Sequence, residues 1–176
     1  GFSVLDEASA LDDYLLQLTG KDDPKVCFVP TASGDADPYI ERFLNAFQDR
    51  AQTSVLSLFC HDPWGYADPR MLLTQNIVYV GGGSTANLLA VWRLHGLPDI
   101  LQTAAANGTV LAGISAGMNC WFDASSTDSY GPLAPLPDGL GLLPGSACPH
   151  YLEGPARRDQ VLGRVALGAL PGALPV

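Results

Sequence analysis

One serine lies in a glycine-rich turn at the expected end of an apolar strand. Ser115 is the centre of residues 113–117, which read Gly-Ile-Ser-Ala-Gly, and the apolar run 109–114 leads into it. A G-x-S-x-G pattern between a strand and a helix is typical of a sharp turn that lifts a serine hydroxyl above a sheet. Small neighbours leave room for such a turn. The pattern predicts Ser115 as a nucleophile, and the alternative is a plain tight turn.

A serine nucleophile needs a base to accept its proton. The chain has three histidines, and His61 and His95 lie in segments that resemble surface connections. His150 follows the small and largely apolar stretch 145–149. It is therefore the predicted base, although a histidine in such a place can also be purely structural.

A second glycine-rich turn offers backbone donors for an oxyanion. Gly82 and Gly83 follow the apolar run 76–80, and backbone without side chains can approach a substrate closely. The amide of Ala116, next to the serine, is the other predicted donor. A phosphate-binding turn is the alternative. It is disfavoured because the segment lacks G-x-G-x-x-G and no acidic ribose anchor follows at a suitable distance.

The elements that must position these residues alternate along the chain. Apolar runs predict strands at 25–30, 54–59, 76–80 and 109–114. Helical spacing predicts helices at 8–18, 40–47, from 88 onward, 98–106 and 155–167. Residues 125–149 are expected to be loop with short strands. Alternation of this kind predicts an α/β fold of three layers, flavodoxin-like, with a mainly parallel sheet and helices on both faces. Ligands of such sheets bind beyond the carboxyl ends of the strands, where both turns fall.

The composition limits the partners that the protein can have. A formal net charge of −9 without any basic run argues against nucleic acid, and no apolar stretch is long enough for a membrane span. Four scattered cysteines without a CxxC disfavour zinc and favour reduced thiols in the cytoplasm. With 47% hydrophobic and 15% charged residues, we expect one domain over residues 1–176 that forms a homo-oligomer. The start at Gly1 suggests a trimmed part of a longer chain.

Three motifs in this order resemble the peptidase E (S51) family. They are residues 80–85, 112–117 and 148–151, and the triplet 158–160 follows at the family's spacing. The resemblance extends over nearly the whole chain, from residue 28 onward. It implies a fold like that of class I glutamine amidotransferases and a cytoplasmic serine peptidase without a metal or an organic cofactor. It also implies a small peptide substrate, with dipeptides that begin with aspartate as the expected class.

The resemblance also implies roles for individual residues. Ser115 would be the nucleophile and His150 the base, and Gly83 and Ala116 would form the oxyanion hole. Arg158 would bind the carboxylate of the substrate, since a planar guanidinium can hold a carboxylate through two hydrogen bonds.

Three further residues are expected near the site. Asp128 matches an acidic residue of the family, and it would either orient the site or stabilise a turn through its own backbone. Gly82 and Ser84 are expected to contact the substrate. Ser84 and the segment 118–121 depart from the family pattern, which leaves the preference for aspartate open.

The third member of a catalytic triad is not assigned by the resemblance. The family carries this carboxylate on a segment after the helix that follows the histidine, and neither Glu153 nor Asp159 matches that position. We therefore expect the acid beyond Val176, and the family's first strand before Phe2. Two alternatives stay open: a cyanophycinase-like or esterase-like hydrolase with the same serine and histidine, and a binding protein that has lost turnover.

Overall fold

A computed structural model describes residues 10–59, 65–153 and 155–172. His61 and the first strand expected before Phe2 lie outside the described residues. Among the described helices, none has the length and apolar character that crossing a membrane demands.

The main sheet consists of parallel strands in the spatial order β2–β1–β3–β4. Their bounds are β1 Lys25–Val29, β2 Gln52–Val55, β3 Ile77–Val80 and β4 Val110–Gly113. Val80 lies opposite Gly113 in the pairing of β3 with β4. The two turns singled out in the sequence therefore leave adjacent strands at the same edge of the sheet.

Helices connect these strands. Their bounds are α1 Ala10–Leu18, α2 Asp37–Phe47, α3 Thr85–Leu94, α4 Leu97–Ala106, α5 Ala116–Asn119 and α6 Pro155–Ala166, with 3-10 helices at Thr31–Ser33 and Pro69–Thr74. The predicted helices agree with α1, α2, α3, α4 and α6 within a few residues. The helix after Ser115 is only one turn long, because the chain enters a strand at Phe122.

The alternation of side chains along β1 and β3 divides the core between the two faces of the sheet. Val26 and Phe28 of β1 pack on one face, in a cluster that includes Phe43 of α2. Cys27 and Val29 point to the other face, in a cluster that contains residues of α3 and α4. Both faces are apolar because successive side chains of a strand point in opposite directions. The predicted three-layer α/β fold with a mainly parallel sheet is confirmed.

A second sheet covers the region that was predicted to be loop with short strands. Its strands are β5 Phe122–Thr127, β6 Ala134–Leu136 and β7 Leu143–Ala147, in the order β6–β5–β7. The short strands expected there are present, and they form a sheet whose central strand is polar: Ser125, Ser126 and Thr127 of β5 are all buried. The Thr127 hydroxyl lies 2.7 Å from Ser129 Oγ, within hydrogen-bonding distance, so a buried strand need not be an apolar run.

The second strand also differs from its prediction. It ends at Val55, although the apolar run continues to Phe59. The carboxylate of Asp35 accepts hydrogen bonds from the backbone N–H groups of Leu58, at 2.6 Å, and Phe59, at 2.8 Å. The backbone there is therefore satisfied by a side chain instead of a neighbouring strand.

Candidate active site

Ser115 adopts a backbone conformation that few residues with a side chain adopt. It lies two residues after the end of β4 and directly before α5, with φ 52° and ψ −113°. A positive φ at a non-glycine residue stores strain and is concentrated at functional sites. The strand and the short helix on either side hold the turn in place, and the serine is half-buried at the carboxyl edge of the sheet.

The two glycines of the motif are required by close backbone contacts. A Cβ on Gly113 would lie 2.1 Å from the carbonyl oxygen of Gly117. A Cβ on Gly117 would lie 2.3 Å from the carbonyl oxygen of Val80 at the end of β3. Neither approach is sterically possible for a residue with a side chain, so the local sequence is the one that this turn needs.

The fold brings His150 to Ser115 from 35 residues further along the chain. His150 Nε2 lies 3.1 Å from Ser115 Oγ, within hydrogen-bonding distance. His150 follows β7, which pairs with β5 in the second sheet, and its own φ is 59°. The second sheet thus positions His150 next to the carboxyl edge of the main sheet.

Glu153 provides a carboxylate on the far side of the imidazole. Its Oε1 lies 2.6 Å from His150 Nδ1, and its backbone N–H donates to the His150 carbonyl oxygen at 3.0 Å. The sequence left the orienting acid unassigned and expected it beyond Val176. Glu153 was missed because it was compared only with the family position, although three residues in a tight turn suffice to fold a glutamate back onto a histidine.

The glycine turn after β3 lies against the serine. A Cβ on Gly82 would be 3.4 Å from Ser115 Cβ, and one on Gly83, whose φ is 143°, would lie 2.0 Å from the Ala32 carbonyl oxygen. Within the described ranges, the N–H groups of Gly83 and Ala116 are not paired with a protein acceptor. They are the two groups predicted for the oxyanion hole.

The N–H of Gly82 already donates a hydrogen bond within the protein. It donates to the hydroxyl of Tyr39, on α2, at 3.2 Å, and burial raises the pKa of that hydroxyl above its ordinary value. Tyr39 is therefore neutral at physiological pH and braces the glycine turn. Sequence reasoning did not identify this tyrosine, since a single tyrosine on a predicted helix carries no signal of its own.

Ser84 and Asp128 both make hydrogen bonds within the protein, and the Asp128 carbonyl oxygen accepts from the Gly131 N–H at 3.0 Å in a turn. The Ser84 side chain accepts a hydrogen bond from the Asn87 N–H and caps α3. Asp128 accepts from Arg157 Nη2 at 3.2 Å and makes no described contact with His150. The acid beside the histidine is Glu153 instead.

The arginine that approaches the site from α6 is Arg157. Its Nη1 donates to the carbonyl oxygen of Pro149 at 3.3 Å, next to the histidine. Arg158 is exposed on the same helix, and its substrate-binding role stays a prediction. Asp159 is also exposed and has no described contact with the imidazole.

Buried polar side chains lie under the turn of residues 113–117 that carries Ser115, which we call the elbow. The Asn119 amide, on α5, donates to Thr85 Oγ1 at 3.2 Å, and Thr127 Oγ1 of β5 lies 3.4 Å from the same oxygen. These hydrogen bonds connect α5, the start of α3 and the second sheet. They link the serine-bearing turn to the sheet that carries the histidine.

The nearby thiols are not competing nucleophiles. Burial raises the pKa of Cys120 well above its usual range, and it also raises the pKa of Cys148, two residues before the histidine. Both thiols stay protonated at neutral pH, and a protonated thiol is a poor nucleophile. The serine hydroxyl is the group that the histidine contacts.

Ser115 and His150 lie within hydrogen-bonding distance at the carboxyl edge of a parallel sheet. The serine hydrolases with an α/β fold use the same arrangement. Residues 1–167 match the sequence profile of peptidase family S51. The chain belongs to this family, and the resemblance found in its motifs is confirmed.

Two curated relatives agree with this membership. The chain is 47% identical over 152 residues to the uncharacterized peptidase YgaJ of Bacillus subtilis (strain 168), covering 86% of this chain and 65% of that protein. It is 33% identical over 132 residues to peptidase E of Streptomyces coelicolor, covering 73% and 52%. The chain therefore spans about half to two thirds of the length of these relatives.

Two further similarities concern the fold. A crystal structure of a peptidase from an acI-B1 actinobacterium superposes with a TM-score of 0.67 at 18% identity, covering 89% of this chain and 71% of that one. Over 71 residues the chain is 37% identical to the imidazole glycerol phosphate synthase subunit HisH of Geobacillus thermodenitrificans, covering 40% and 30%. The predicted relation to the glutamine amidotransferase fold is confirmed.

Proposed function

We propose that the protein is a serine peptidase that hydrolyses short peptides through an acyl-enzyme, with Ser115 as nucleophile and His150 as base. The observation that carries the proposal is the 3.1 Å separation of Ser115 Oγ and His150 Nε2. A nucleophile and its base must lie within hydrogen-bonding reach for the proton to move as the new bond forms.

The reaction follows from the positions of these groups. Ser115 Oγ attacks the peptide carbonyl carbon while its proton passes to His150 Nε2. The N–H groups of Gly83 and Ala116 donate to the oxyanion, the C–N bond breaks, and His150 returns the proton to the leaving amine. His150 then deprotonates a water that attacks the acyl ester, which releases the acid product and restores the serine hydroxyl.

Glu153 is the orienting acid of this proposal. A base at Nε2 requires the imidazole tautomer with its proton on Nδ1, and a carboxylate 2.6 Å from Nδ1 favours that tautomer. It also stabilises the imidazolium that forms after proton transfer. A carboxylate beyond Val176 is the competing assignment.

The substrate class comes from the resemblance and from relatives named peptidase E. Dipeptides that begin with aspartate are the proposed substrates, with Arg158 as a carboxylate-binding residue and Gly82 and Ser84 beside the scissile bond. The proposal includes action in the cytoplasm, as a homo-oligomer and without a cofactor.

The test compares the wild type with Ser115→Ala, using an Asp-Leu hydrolysis assay and labelling by a fluorophosphonate. We expect Ser115→Ala to lose on the order of 10³-fold or more in kcat/KM and to lose the label, because the remaining groups only bind the substrate and the oxyanion. Ser54→Ala, on β2, is the matched control and should keep both.

The circular dichroism spectrum of each variant establishes that it is folded. A folded Ser115→Ala protein that hydrolyses peptides at the wild-type rate would end the proposal. Labelling of Ser115 without hydrolysis of any peptide in an Asp-X and Ala-X panel would favour the esterase-like alternative.

A further inference from the structure

The glycine turn of residues 81–83 needs a restraint from its surroundings to serve in catalysis. None of its three residues has a Cβ, so the backbone of the turn has access to more conformations than that of other residues. An oxyanion hole stabilises the transition state best when its donors already point at the oxyanion before the reaction begins. The contacts that hold the turn therefore decide how well the Gly83 N–H can act as a donor.

Backbone hydrogen bonds hold the two ends of this turn. The Gly81 N–H donates to the carbonyl oxygen of Val29, the last residue of β1, at 3.2 Å. The Ser84 N–H donates to the carbonyl oxygen of Ala32, in the 3-10 helix that follows β1, at 2.8 Å. Both acceptors are main-chain groups, so this part of the restraint depends on the fold and not on a particular side chain.

The middle of the turn is held by a side chain. The Gly82 N–H donates to the Tyr39 hydroxyl at 3.2 Å. The next N–H, that of Gly83, has no protein acceptor within the described ranges. A Cβ on Gly82 would lie 3.9 Å from Ser115 Oγ, so the turn lies beside the nucleophile. One tyrosine hydroxyl therefore holds the peptide unit that directly precedes the unit with the predicted oxyanion donor.

The ring of Tyr39 is itself held by the main sheet. It meets the ring of Phe28, a fully buried residue of β1, edge to face with 5.1 Å between the ring centroids. A Cβ on Gly81 would lie 2.9 Å from Cε1 of the Tyr39 ring, so the ring also packs directly on the turn. Close packing of this kind limits the rotamers of an aromatic side chain, and the hydroxyl is therefore a rigid acceptor.

We propose that Tyr39 is a positioning residue for the reaction: its hydroxyl fixes Gly82 and thereby the direction in which the Gly83 N–H donates to the oxyanion. This inference rests on the proposed function. Tyr39 acts through the turn and not on the reacting atoms. Loss of its hydroxyl should therefore slow the chemical step and leave the binding of the substrate nearly unchanged.

The experiment compares kcat and KM for Asp-Leu in the wild type, Tyr39→Phe and Tyr66→Phe. Tyr39→Phe removes the hydroxyl and keeps the ring that contacts Phe28. We expect kcat to fall about tenfold, less than the roughly 10²- to 10³-fold for deletion of an oxyanion donor, because the Gly83 N–H is still present. KM should change by less than about twofold.

Tyr66→Phe is the matched control. The Tyr66 hydroxyl also has a partner at 3.2 Å, His95 Nδ1, and this pair lies at the C-terminal end of α3, whereas the glycine turn precedes the start of that helix. The control should keep the wild-type kcat and KM. A raised KM with the wild-type kcat in Tyr39→Phe would overturn the inference, because Tyr39 would then bind the substrate and not position the turn.

The rate of fluorophosphonate labelling separates this inference from the proposed function. The phosphoryl oxygen gains negative charge as Ser115 Oγ attacks phosphorus and fluoride leaves, so labelling uses the oxyanion donors and needs no peptide. We expect the second-order rate constant to fall about tenfold in Tyr39→Phe. If the wild type is labelled and hydrolyses no peptide, the proposed function fails while this rate still tests Tyr39. Equal labelling rates in the two proteins would overturn the inference.

Amide hydrogen exchange of the wild type, followed by NMR, tests the same contacts without any substitution. The Gly82 amide should be protected from exchange by its bond to Tyr39, and the Gly83 amide should exchange freely. After labelling with the fluorophosphonate, the Gly83 amide should become protected as well, because it then donates to the phosphoryl oxygen. A Gly82 amide without protection, or a Gly83 amide that labelling leaves unprotected, would overturn the inference.

Discussion

Ser115 and His150 face each other, and both have a positive φ, 52° and 59°. Each such residue costs roughly 1–3 kcal/mol and persists only where its surroundings impose it. A third case, Asp35, has φ 55° and uses its carboxylate to bind two backbone N–H groups. The strain is found at residues whose side chains must reach a particular partner.

At the residue scale, the role of Glu153 can be tested by Glu153→Gln. We expect kcat/KM to fall about 10- to 100-fold, a smaller loss than for a buried triad acid because the Glu153 side chain is 69% exposed. Steady-state hydrolysis of Asp-Leu by the wild type and by Glu153→Gln measures this loss.

Asp159→Asn is the matched control, since it removes an exposed carboxylate six residues further along the chain that has no described contact with His150. It should keep the wild-type kcat/KM. A folded Glu153→Gln protein with the wild-type kcat/KM would move the orienting role to another carboxylate.

At the element scale, the elbow depends on close contact between the end of β3, the end of β4 and α5. Gly113→Ala places a methyl group 2.1 Å from a backbone oxygen of the following turn. We expect a loss of about 2 kcal/mol or more in the free energy of unfolding, together with loss of activity, because the strand must separate from the turn. Urea denaturation and the dipeptide assay measure the two effects.

Gly163→Ala is the control for this prediction. Gly163 lies within α6, and a Cβ there would meet nothing within 4 Å. The substitution should stabilise the protein by up to about 1 kcal/mol, since alanine is the better helix former. Equal stability of the two variants would mean that the close packing of the elbow contributes nothing.

At the scale of the whole molecule, the predicted homo-oligomer can be tested directly. Only 15% of the residues are charged, and α1 exposes Leu11, Tyr14 and Leu18, which lie three and four residues apart on one face. We expect sedimentation velocity to give a mass above the 18.5 kDa of one chain at micromolar concentration. A sedimentation coefficient of a monomer at all concentrations would contradict the homo-oligomer prediction.

The fold was largely predictable because its main sheet follows simple patterns. The strands β1, β3 and β4 are short apolar runs between helices of regular period, which is what burial on two faces requires. The second sheet was not predictable in this way. Its central strand is buried although Ser125, Ser126 and Thr127 are polar, so its burial leaves no apolar run in the sequence.

The sequence by itself determined the family, and it predicted Ser115 and, among three histidines, His150 as the residues of the site, since each depends on local spacing or on an ordered set of motifs. Tertiary structure alone decided the contacts that lie between elements. It placed Glu153 beside the histidine, Arg157 on Asp128, and Tyr39 with Arg42 beside Gly82. The physical reason is that a side chain's partner depends on the rotation and packing of separate elements, which a linear pattern does not contain.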